Sequence, residues 1–211
     1  MPYCVKCQRG RLKPRSRRPS GTLDPVTLPL VLRPRRPEDL PELWRWTHGI
    51  PDPEWKRWDA PYFHGPHSPL GLAEYTARAL ARPVPEHLHV IEIGGMVRGV
   101  VTRAWEDPQE GGWMDLGIVI HDPAFWNGGY GTRALHGWVD LTFRDTPAHV
   151  LTLTTWSGNA RMLGAARRLG FRECARVREA RSWQGERYDS VRFDLLRREW
   201  ATHTGTEGTA G

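Results

Sequence analysis

Cysteine is scarce in this chain: only three of its 211 residues are cysteine. So few cysteines, and an odd number of them, do not build a disulfide framework, so a reducing, cytoplasmic setting is predicted. Long apolar runs are also missing, since none approaches the roughly 18 residues that a membrane span needs. The basic N-terminus has no apolar segment behind it, which argues against a signal peptide. With 39% hydrophobic and 26% charged residues, the chain is typical of one soluble globular domain.

Acidic residues are absent from positions 1–20, which carry seven of the 30 basic side chains. The other 191 residues hold 23 basic and 24 acidic groups, so the formal charge of +6 belongs to the N-terminal segment. A folded domain that binds nucleic acid needs a basic face of its own, so no nucleic-acid partner is predicted for the domain. A nucleic-acid adaptor that works through the basic segment stays open, and its binding would depend strongly on salt.

Both ends of the chain lack the apolar residues of a core. Residues 1–27 are rich in Arg, Pro, Ser and Gly and predict a disordered basic tail. Residues 201–211 predict a second disordered tail, so the folded domain is expected over 28–200. Cys4-x-x-Cys7 is half of a zinc knuckle with no second pair of ligands, and therefore no metal site is predicted.

Between the tails, strand and helix periodicities alternate. Strands are predicted at 29–36, in a hairpin over 87–106 that turns at Gly94-Gly95, at 112–120 and 149–156, and in a hairpin of 171–183 and 187–196 that turns at Gln184-Gly185. Helices are predicted at 37–49, at 69–81 with Ser68 as N-cap, at 131–143, and at 159–170 with Asn159 as N-cap. The Pro-broken segment 51–69 is predicted to be a loop or short helix. This order predicts an α/β (α+β) fold with a single mixed central sheet of about six or seven strands flanked by helices.

Three glycines, Gly128, Gly129 and Gly131, lie where a strand passes into a helix, in the stretch AFWNGGYGTRAL. Glycine costs backbone entropy, and the usual reason to place it at a helix start is the close approach of a phosphate group. A P-loop is excluded because Thr132 follows the last glycine with no lysine. A glycine-rich turn that binds nothing stays as the simplest alternative.

A dinucleotide-binding loop is also disfavoured. The pattern G-x-G-x-x-G/A is met formally, but the preceding strand ends near Ile120, several residues before the glycines. The acid that would bind the ribose is missing, because no acidic residue lies between Asp145 and Glu173.

The order of elements resembles the GNAT superfamily of acyl-CoA-dependent N-acetyltransferases over about residues 29–200. The pyrophosphate loop of that family, Q/R-x-x-G-x-G/A, falls on residues 126–131, WNGGYG, and the segment NARMLGAARRLGF at 159–171 also matches. Trp126 in place of Gln or Arg is similar to the ribosomal-protein N-terminal (RimJ/RimL-type) branch. So are DLGIVIHDPAFWNGGYG and the closing LLRREW.

The resemblance implies a GNAT fold that binds acetyl-CoA and needs no metal. The pantetheine arm would lie beside Ile118, Val119 and Ile120, with the Val119 amide holding the thioester carbonyl. The pyrophosphate would be bound by the backbone amides of Asn127, Gly128, Gly129, Tyr130, Gly131 and Thr132. Asn159 would cap its helix and also contact CoA.

Asp115 lies where the resemblance places a general base, on the strand that would carry the acetyl group. An acceptor ammonium must lose a proton before it can attack, which a nearby carboxylate promotes. The family's tyrosine acid is missing, because its position holds Ala166, and Met162 stands where this branch often has serine. Ser157 is a candidate polar group near the thioester. Three further residues stay open as candidates for a catalytic role: Tyr130, Cys174 and Tyr188.

Four tryptophans crowd the segment where the family builds its acceptor site: Trp44, Trp46, Trp55 and Trp58. Asp59, His64 or His67 would be the polar groups of an aromatic pocket there. The predicted activity is acetyl transfer from acetyl-CoA to a primary amine, with a peptide or protein α-amine as the leading acceptor. A polyamine or aminoglycoside acceptor and a non-catalytic acyl-CoA-binding module stay open, as do a monomer and a homodimer.

Deletion of residues 1–27 is expected to leave the melting temperature and the acetyl-CoA affinity unchanged, because this segment has no residues with which to build a core. Thermal unfolding and calorimetric titration of the full and shortened chains test this. A large loss of stability, or stoichiometric zinc in the full chain alone, would show that the cysteine pair is structural.

Overall fold

A computed structural model of the protein describes residues 28–106 and 108–207. Seven strands form one sheet with the order β1-β2-β3-β4-β5-β7-β6. The strands are β1 Leu30–Pro34, β2 Leu88–Ile93, β3 Met96–Trp105, β4 Trp113–Ile120, β5 Val150–Trp156, β6 Arg172–Trp183 and β7 Glu186–Leu196. Neighbouring strands are antiparallel except β4 and β5, which are parallel. The predicted mixed sheet is confirmed.

Five α-helices accompany the sheet: α1 Leu40–Trp44, α2 Leu72–Leu80, α3 Tyr130–Asp145, α4 Ala160–Arg168 and α5 Arg197–Glu207. The 3₁₀ turn Pro37–Asp39 leads into α1 and a π-helical turn, Arg45–Gly49, follows it. Further 3₁₀ turns lie at Glu54–Arg57, Pro61–Phe63, Gln109–Gly111 and Pro123–Phe125. No helix in the described part of the chain is long and apolar enough to cross a membrane.

The helices differ from the prediction at the start of α2 and at the C-terminus. Helix α2 begins after Gly71, so Ser68 is not its N-cap. The indole of Trp44 donates to the Leu70 carbonyl at 2.6 Å and the His48 ring lies 3.3 Å from the Ser68 carbonyl, so contacts with the preceding helical segment hold 68–70 outside the helix. Helix α5 is not among the predicted helices, and it runs to Glu207, into the predicted disordered tail at 201–211. The predicted tail at 1–27 and residues 208–211 lie outside the described residues.

The main core lies between the sheet and helices α3 and α4. The predicted apolar stripe of α3, Leu135, Trp138 and Val139, is completely buried there against strand residues such as Leu151 and Phe193. A smaller cluster on the opposite face joins Leu43 of α1 to Val90 and Val97. Strands β2 and β3 are therefore covered on both faces, by the main core on one side and by α1 on the other.

Tight turns form where the sequence places glycine. Gly94 and Gly95 have φ of 60° and 82°, the left-handed geometry of a two-residue hairpin turn between β2 and β3. Gln184 and Gly185, with φ of 51° and 82°, make the matching turn between β6 and β7. Both predicted hairpins are confirmed.

A nearly buried ion pair joins β1 to the helix that follows it. The Arg33 guanidinium donates to both carboxylate oxygens of Asp39, at 2.7 and 2.8 Å, and to Glu92 at 2.7 Å. Asp39 also accepts from the Arg36 amide at 2.6 Å, and its side chain is only 4% exposed. Burial alone would raise the pKa of Asp39, but the hydrogen bonds from Arg33 and Arg36 hold it below its usual range.

We expect Asp39→Asn to destabilise the fold by about 3 kcal/mol, because it leaves the Arg33 charge undercompensated in a buried position. The matched control Asp52→Asn removes an ion pair with Arg57 whose side chains are 69% and 55% exposed, and should change stability little. Urea unfolding measures both variants.

The pH dependence gives a second readout for Asp39. Since its folded pKa is lowered, its contribution is present above the unfolded value of about 3.9 and is lost as the pH falls through the folded pKa. Asp39→Asn should not show this part of the loss of stability at acid pH. Equal stability of the two variants at neutral pH would contradict the assignment.

Candidate active site

Strands β4 and β5 separate from each other halfway along their length. They pair at only three positions, of which the last joins Asp115 to Thr152. Beyond that point β4 stays paired with β3 as far as Ile120, and β5 stays paired with β7 as far as Trp156. Each strand thus keeps one neighbour and leaves the other edge open, which creates a V-shaped gap in the middle of the sheet.

Ile118, Val119 and Ile120 form the β4 side of this gap. Ile118 and Ile120 pack against the main core. Since side chains alternate along a strand, Val119 points to the opposite face, and the backbone groups of this stretch that do not pair with β3 point into the gap. The predicted pantetheine contacts are therefore stereochemically available, and they stay predictions.

A bulge in β3, the strand that pairs with β4 on the side away from the gap, contains a glycine. The pairing of β2 with β3 shifts next to Gly99, and a Cβ at that position would collide with the Val119 carbonyl oxygen. The close approach of β3 to the end of β4 therefore requires glycine. No pattern in the sequence marked this, because the clash arises between residues from two different strands.

The glycine loop follows β4 and ends at the N-terminus of α3. Asn127 and Gly129 have φ of 62° and 79°, so left-handed residues alternate along the loop and curve its backbone. The predicted helix start is confirmed within one residue, since α3 begins at Tyr130. In the described part of the chain the backbone N–H groups of Asn127 to Thr132 donate to no acceptor. Such a row of free N–H groups at the positive end of a 16-residue helix is an anion-binding geometry.

Trp126 anchors the start of the loop. Its indole donates to the Ile120 carbonyl at 2.9 Å, which fixes the loop to the end of β4. The Arg161 guanidinium lies over the rings of Trp126 and Trp58, at 4.5 and 4.0 Å from their centres, and donates to Asn127 Oδ1 at 3.4 Å. Arg161 Nη1 is buried without a hydrogen-bond partner. A positive charge with spare donor capacity thus lies beside the free amides.

A second arginine of α4 reaches the same helix end. Arg168 donates to Thr132 Oγ1 at 3.3 Å, and it lies across Gly164, where a Cβ would be 3.3 Å from its Nη1. The Tyr130 hydroxyl accepts from the Leu28 amide at 3.0 Å, and its ring lies beside Gly128 of the loop, where a Cβ would be 3.3 Å from it. Arg161 and Arg168 were not identified from the sequence, since only the packing of α4 beside α3 brings them to the loop.

Asp115 lies at the vertex of the gap. Its Oδ1 accepts from Thr152 Oγ1 at 2.6 Å and lies 3.5 Å from Arg192 Nη2. Arg192 also pairs with Glu106 and covers the Trp113 ring. Burial raises the pKa of Asp115, although Thr152 and Arg192 oppose that rise. The carboxylate, with 29% of its side chain exposed, is thus accessible and is a stronger base than an ordinary aspartate.

Asn159 and Ser157 have structural partners at the end of β5. Asn159 Oδ1 accepts from the Met162 amide at 3.0 Å, which confirms the predicted N-cap. Its Nδ2 donates to the Trp58 carbonyl at 2.9 Å, so its contact with CoA stays a prediction. Ser157 Oγ accepts from the Asp189 amide at 2.9 Å and its own amide donates back to Asp189, which ties β5 to β7.

The positions of the absent family residues are apolar. Ala166 is completely buried in the main core, and Met162 packs against the same core. Tyr188 is the phenol nearest to the end of β5, with its ring 4.7 Å from that of Trp156. Cys174 is an exposed free thiol on β6. Among the described residues, no group of three His, Cys, Asp or Glu side chains is arranged to hold a metal ion.

The tryptophans near α1 divide into two groups. Trp46 and Trp55 are buried around His121, and the Trp44 indole is hydrogen-bonded to Leu70. Burial lowers the pKa of His121 to about 4, so this ring is neutral at physiological pH. Of the four, only Trp58 borders the gap, where its carbonyl accepts from the Trp156 indole at 3.0 Å. Trp58 is thus the one of the four that could line the predicted acceptor pocket, which stays a prediction.

Comparison with known proteins identifies the family. Residues 29–172 match the family described as acetyltransferase (GNAT) domain, so the chain belongs to the GNAT acetyltransferases. A search of curated proteins gives no match.

Solved structures of acetyltransferases share the fold. A ribosomal-protein-alanine N-acetyltransferase from Brucella melitensis has a TM-score of 0.57 at 19% identity, covering 79% of this chain and 99% of that one. A spermidine/spermine N-acetyltransferase from Vibrio cholerae has a TM-score of 0.62 at 16% identity, covering 83% and 98%. A putative acetyltransferase from Salmonella typhimurium, solved with its cofactor acetyl-CoA, has a TM-score of 0.57 at 19% identity, covering 79% and 93%.

We expect Gly131→Val to abolish acetyl-CoA binding while the protein stays folded. A Cβ at this position would meet only Ile120 Cδ1, at an ordinary 3.8 Å, so the fold has room for it, whereas a ligand on the loop amides has none. Gly137→Val is the control, because it lies in the same helix away from the loop, where a Cβ would be 3.4 Å from Leu32 Cδ1. Calorimetric titration with acetyl-CoA distinguishes them, and wild-type affinity in the loop variant would exclude this loop as the binding site.

Proposed function

We propose that the protein acetylates a primary amine with acetyl-CoA bound in the V-shaped gap. The observation that carries the proposal is the continuous path from the open edge of β4 to the free amides at the start of α3. The amides of residues 127–132 would bind the pyrophosphate, with Arg161 and Arg168 adding positive charge. Ile118 to Ile120 would contact the pantetheine arm, and the Val119 amide would bind the thioester carbonyl.

Acetyl-CoA supplies the thioester whose carbonyl carbon the amine attacks. In our proposal the amine attacks directly and no acyl-enzyme forms. Asp115 accepts the proton that the ammonium must lose, directly or through a water molecule. Its raised pKa suits this role, because a more basic carboxylate removes the proton more readily. Since buried Ala166 occupies the position of the family's tyrosine, we assign no side chain as the acid that protonates the CoA thiolate.

The leading acceptor in this proposal is a peptide or protein α-amine. The RimJ/RimL-type motifs support it, and the Brucella neighbour is named as a ribosomal-protein-alanine N-acetyltransferase. A small amine is the second candidate, favoured by the neighbour named as a spermidine/spermine N-acetyltransferase. We further propose a cytoplasmic location, on the basis of the low cysteine content.

A non-catalytic acyl-CoA-binding module is the competing function, and the alanine at position 166 favours it. Incubation with labelled acetyl-CoA and a panel of peptides and small amines separates the two. Label on any amine supports the enzyme, whereas tight acetyl-CoA binding with no labelled amine supports the binding module.

We expect Asp115→Asn to lower kcat/KM about 10²–10⁴-fold, because asparagine keeps the size of the side chain and cannot accept the proton. The acetyl-CoA affinity should hardly change, since the proposed pyrophosphate contacts lie in the loop. The loss should shrink at high pH, where the amine is already unprotonated. Steady-state kinetics from pH 6 to 10 make the measurement.

Asp194→Asn, on the neighbouring strand β7, is the control for Asp115. It removes a carboxylate from a half-buried position of the same sheet and should leave the rate nearly unchanged. Near-normal activity of Asp115→Asn at pH 7 would exclude Asp115 as the general base. Joint loss of acetyl-CoA binding and activity would assign Asp115 a structural role.

A further inference from the structure

Arg172, Arg176 and Arg192 of the β6–β7 hairpin form ion pairs with carboxylates, whereas Arg178, Arg181 and Arg187 form none among the described residues. Of these last three, Arg181 is the one that is half-buried. Arg176 pairs with Glu173 and Asp189, and Arg192 pairs with Glu106 and Asp115. In the described part of the chain, Arg181 has no carboxylate within 4 Å.

The Arg181 guanidinium is held in place without being neutralised. Its Nε is buried and has no hydrogen-bond partner, and its Nη2 makes one long contact of 3.5 Å with Ser190 Oγ. The rings of Tyr62 and Phe63 lie 4.9 and 5.0 Å from its central carbon. The Phe63 side chain is largely exposed, since this residue keeps 71% of its surface accessible. The charge is thus oriented by aromatic rings and keeps unused donors.

Asp59 is the complementary negative charge. Its carboxylate is 46% exposed, and one of its oxygens lies 3.6 Å from Nε2 of His64. Among the described residues no arginine or lysine pairs with it. Surrounding protein raises its pKa by desolvation, and His64 only partly opposes this, so the carboxylate is recessed and still open to solvent. A recessed, accessible carboxylate with no arginine or lysine partner is a candidate site for binding a cation.

Tyr62 links the two charges. Burial raises the pKa of its phenol, the nearby Arg181 charge lowers it, and the nearby Asp59 charge raises it. The Arg181 central carbon lies 4.9 Å from the Tyr62 ring and Asp59 precedes Tyr62 by three residues, yet among the described residues the two charges form no ion pair with each other. The Tyr62 ring is 6.2 Å from that of Trp156, the last residue of β5, which places the group at the open end of the gap.

We propose that Asp59 and Arg181 form a two-charge acceptor subsite for a zwitterionic amine, one that carries a carboxylate close to its reacting ammonium. Asp59 binds the ammonium and Arg181 binds the carboxylate, while Tyr62 and Phe63 contact the carbon skeleton between them. The inference rests on the proposed acetyl transfer and narrows its substrate class. A linear polyamine offers no anion to Arg181 and is disfavoured by it. The carboxylate comes from an acidic side chain of a peptide or from a free main-chain carboxyl group.

Matched acceptors test the proposal on the full-length protein. Asp-Ala-Ala amide against Asn-Ala-Ala amide tests the side-chain carboxylate, and Ala-Ala against Ala-Ala amide tests the main-chain carboxylate. Spermidine is the purely cationic acceptor. The wild-type enzyme should prefer the acidic member of one pair, and the pair that shows the preference identifies the source of the carboxylate.

Variants then assign the preference to the two residues. Arg181→Gln should raise KM for the acidic member roughly 10–100-fold, the range expected for hydrogen bonds to a charged group, and leave the neutral member unchanged. Arg181→Lys should recover part of the loss. Asp59→Asn should raise KM for both members of the pair, because both carry the ammonium. Arg187→Gln, an exposed arginine of the same hairpin, should have no effect. Melting temperature and acetyl-CoA affinity verify folding.

The possible outcomes distinguish this inference from the proposed function. Acetylation of spermidine or of neutral peptides in preference to acidic ones overturns the subsite and leaves the acetyltransferase intact. Equal losses for both members of a pair in Arg181→Gln overturn it as well, since they indicate a structural role. If no amine is acetylated while acetyl-CoA binds, the proposed function fails and the subsite fails with it.

Discussion

The candidate site depends on the edges of β4 and β5 that stay unpaired beyond Asp115 and Thr152. Backbone N–H and C=O groups left without partners inside a protein are costly, so a sheet does not open in its middle unless something compensates. Here each strand keeps its outer neighbour, β3 or β7, and this holds the two edges apart. The Trp58 carbonyl, bound by the Trp156 and Asn159 side chains, fastens the segment after α1 to the end of β5. The opening is thus maintained by the pairing of β4 with β3 and of β5 with β7.

Charge around the opening is distributed unevenly. Arg161 and Arg168 lie at the loop, next to the positive end of α3, and Nη1 of Arg161 is buried without a hydrogen-bond partner. Asp115, deeper in the gap, is balanced by Arg192 and Thr152 but is still made more basic by burial. In the proposed chemistry the arginines and the helix end attract a polyanionic ligand, whereas Asp115 accepts a proton beside that ligand.

The local features of the chain were predictable because they depend on neighbours in sequence. The hairpin turns at Gly94-Gly95 and Gln184-Gly185, the Asn159 cap and the apolar stripe of α3 all formed as expected. Ser68 shows where such reasoning fails. It is a good capping residue before an apolar run, yet the contacts of Trp44 and His48 with the carbonyls of 68–70 move the helix start to Leu72. A cap is worth about 1 kcal/mol, which tertiary contacts readily outweigh.

The order of the elements, the glycine loop at the start of α3 and the family of the chain could therefore be predicted from its residues, because spacing and residue type are enough for each of these. Which side chains surround the gap depends instead on how the elements pack together. Gly99 is required by a carbonyl on another strand, and Arg161 reaches the loop through the packing of α4 on two tryptophans. Asp59 and Arg181 lie 122 positions apart and come together around Tyr62 only when the β6–β7 hairpin packs against the segment after α1. Periodicity describes one element at a time, whereas a site is made where several elements meet.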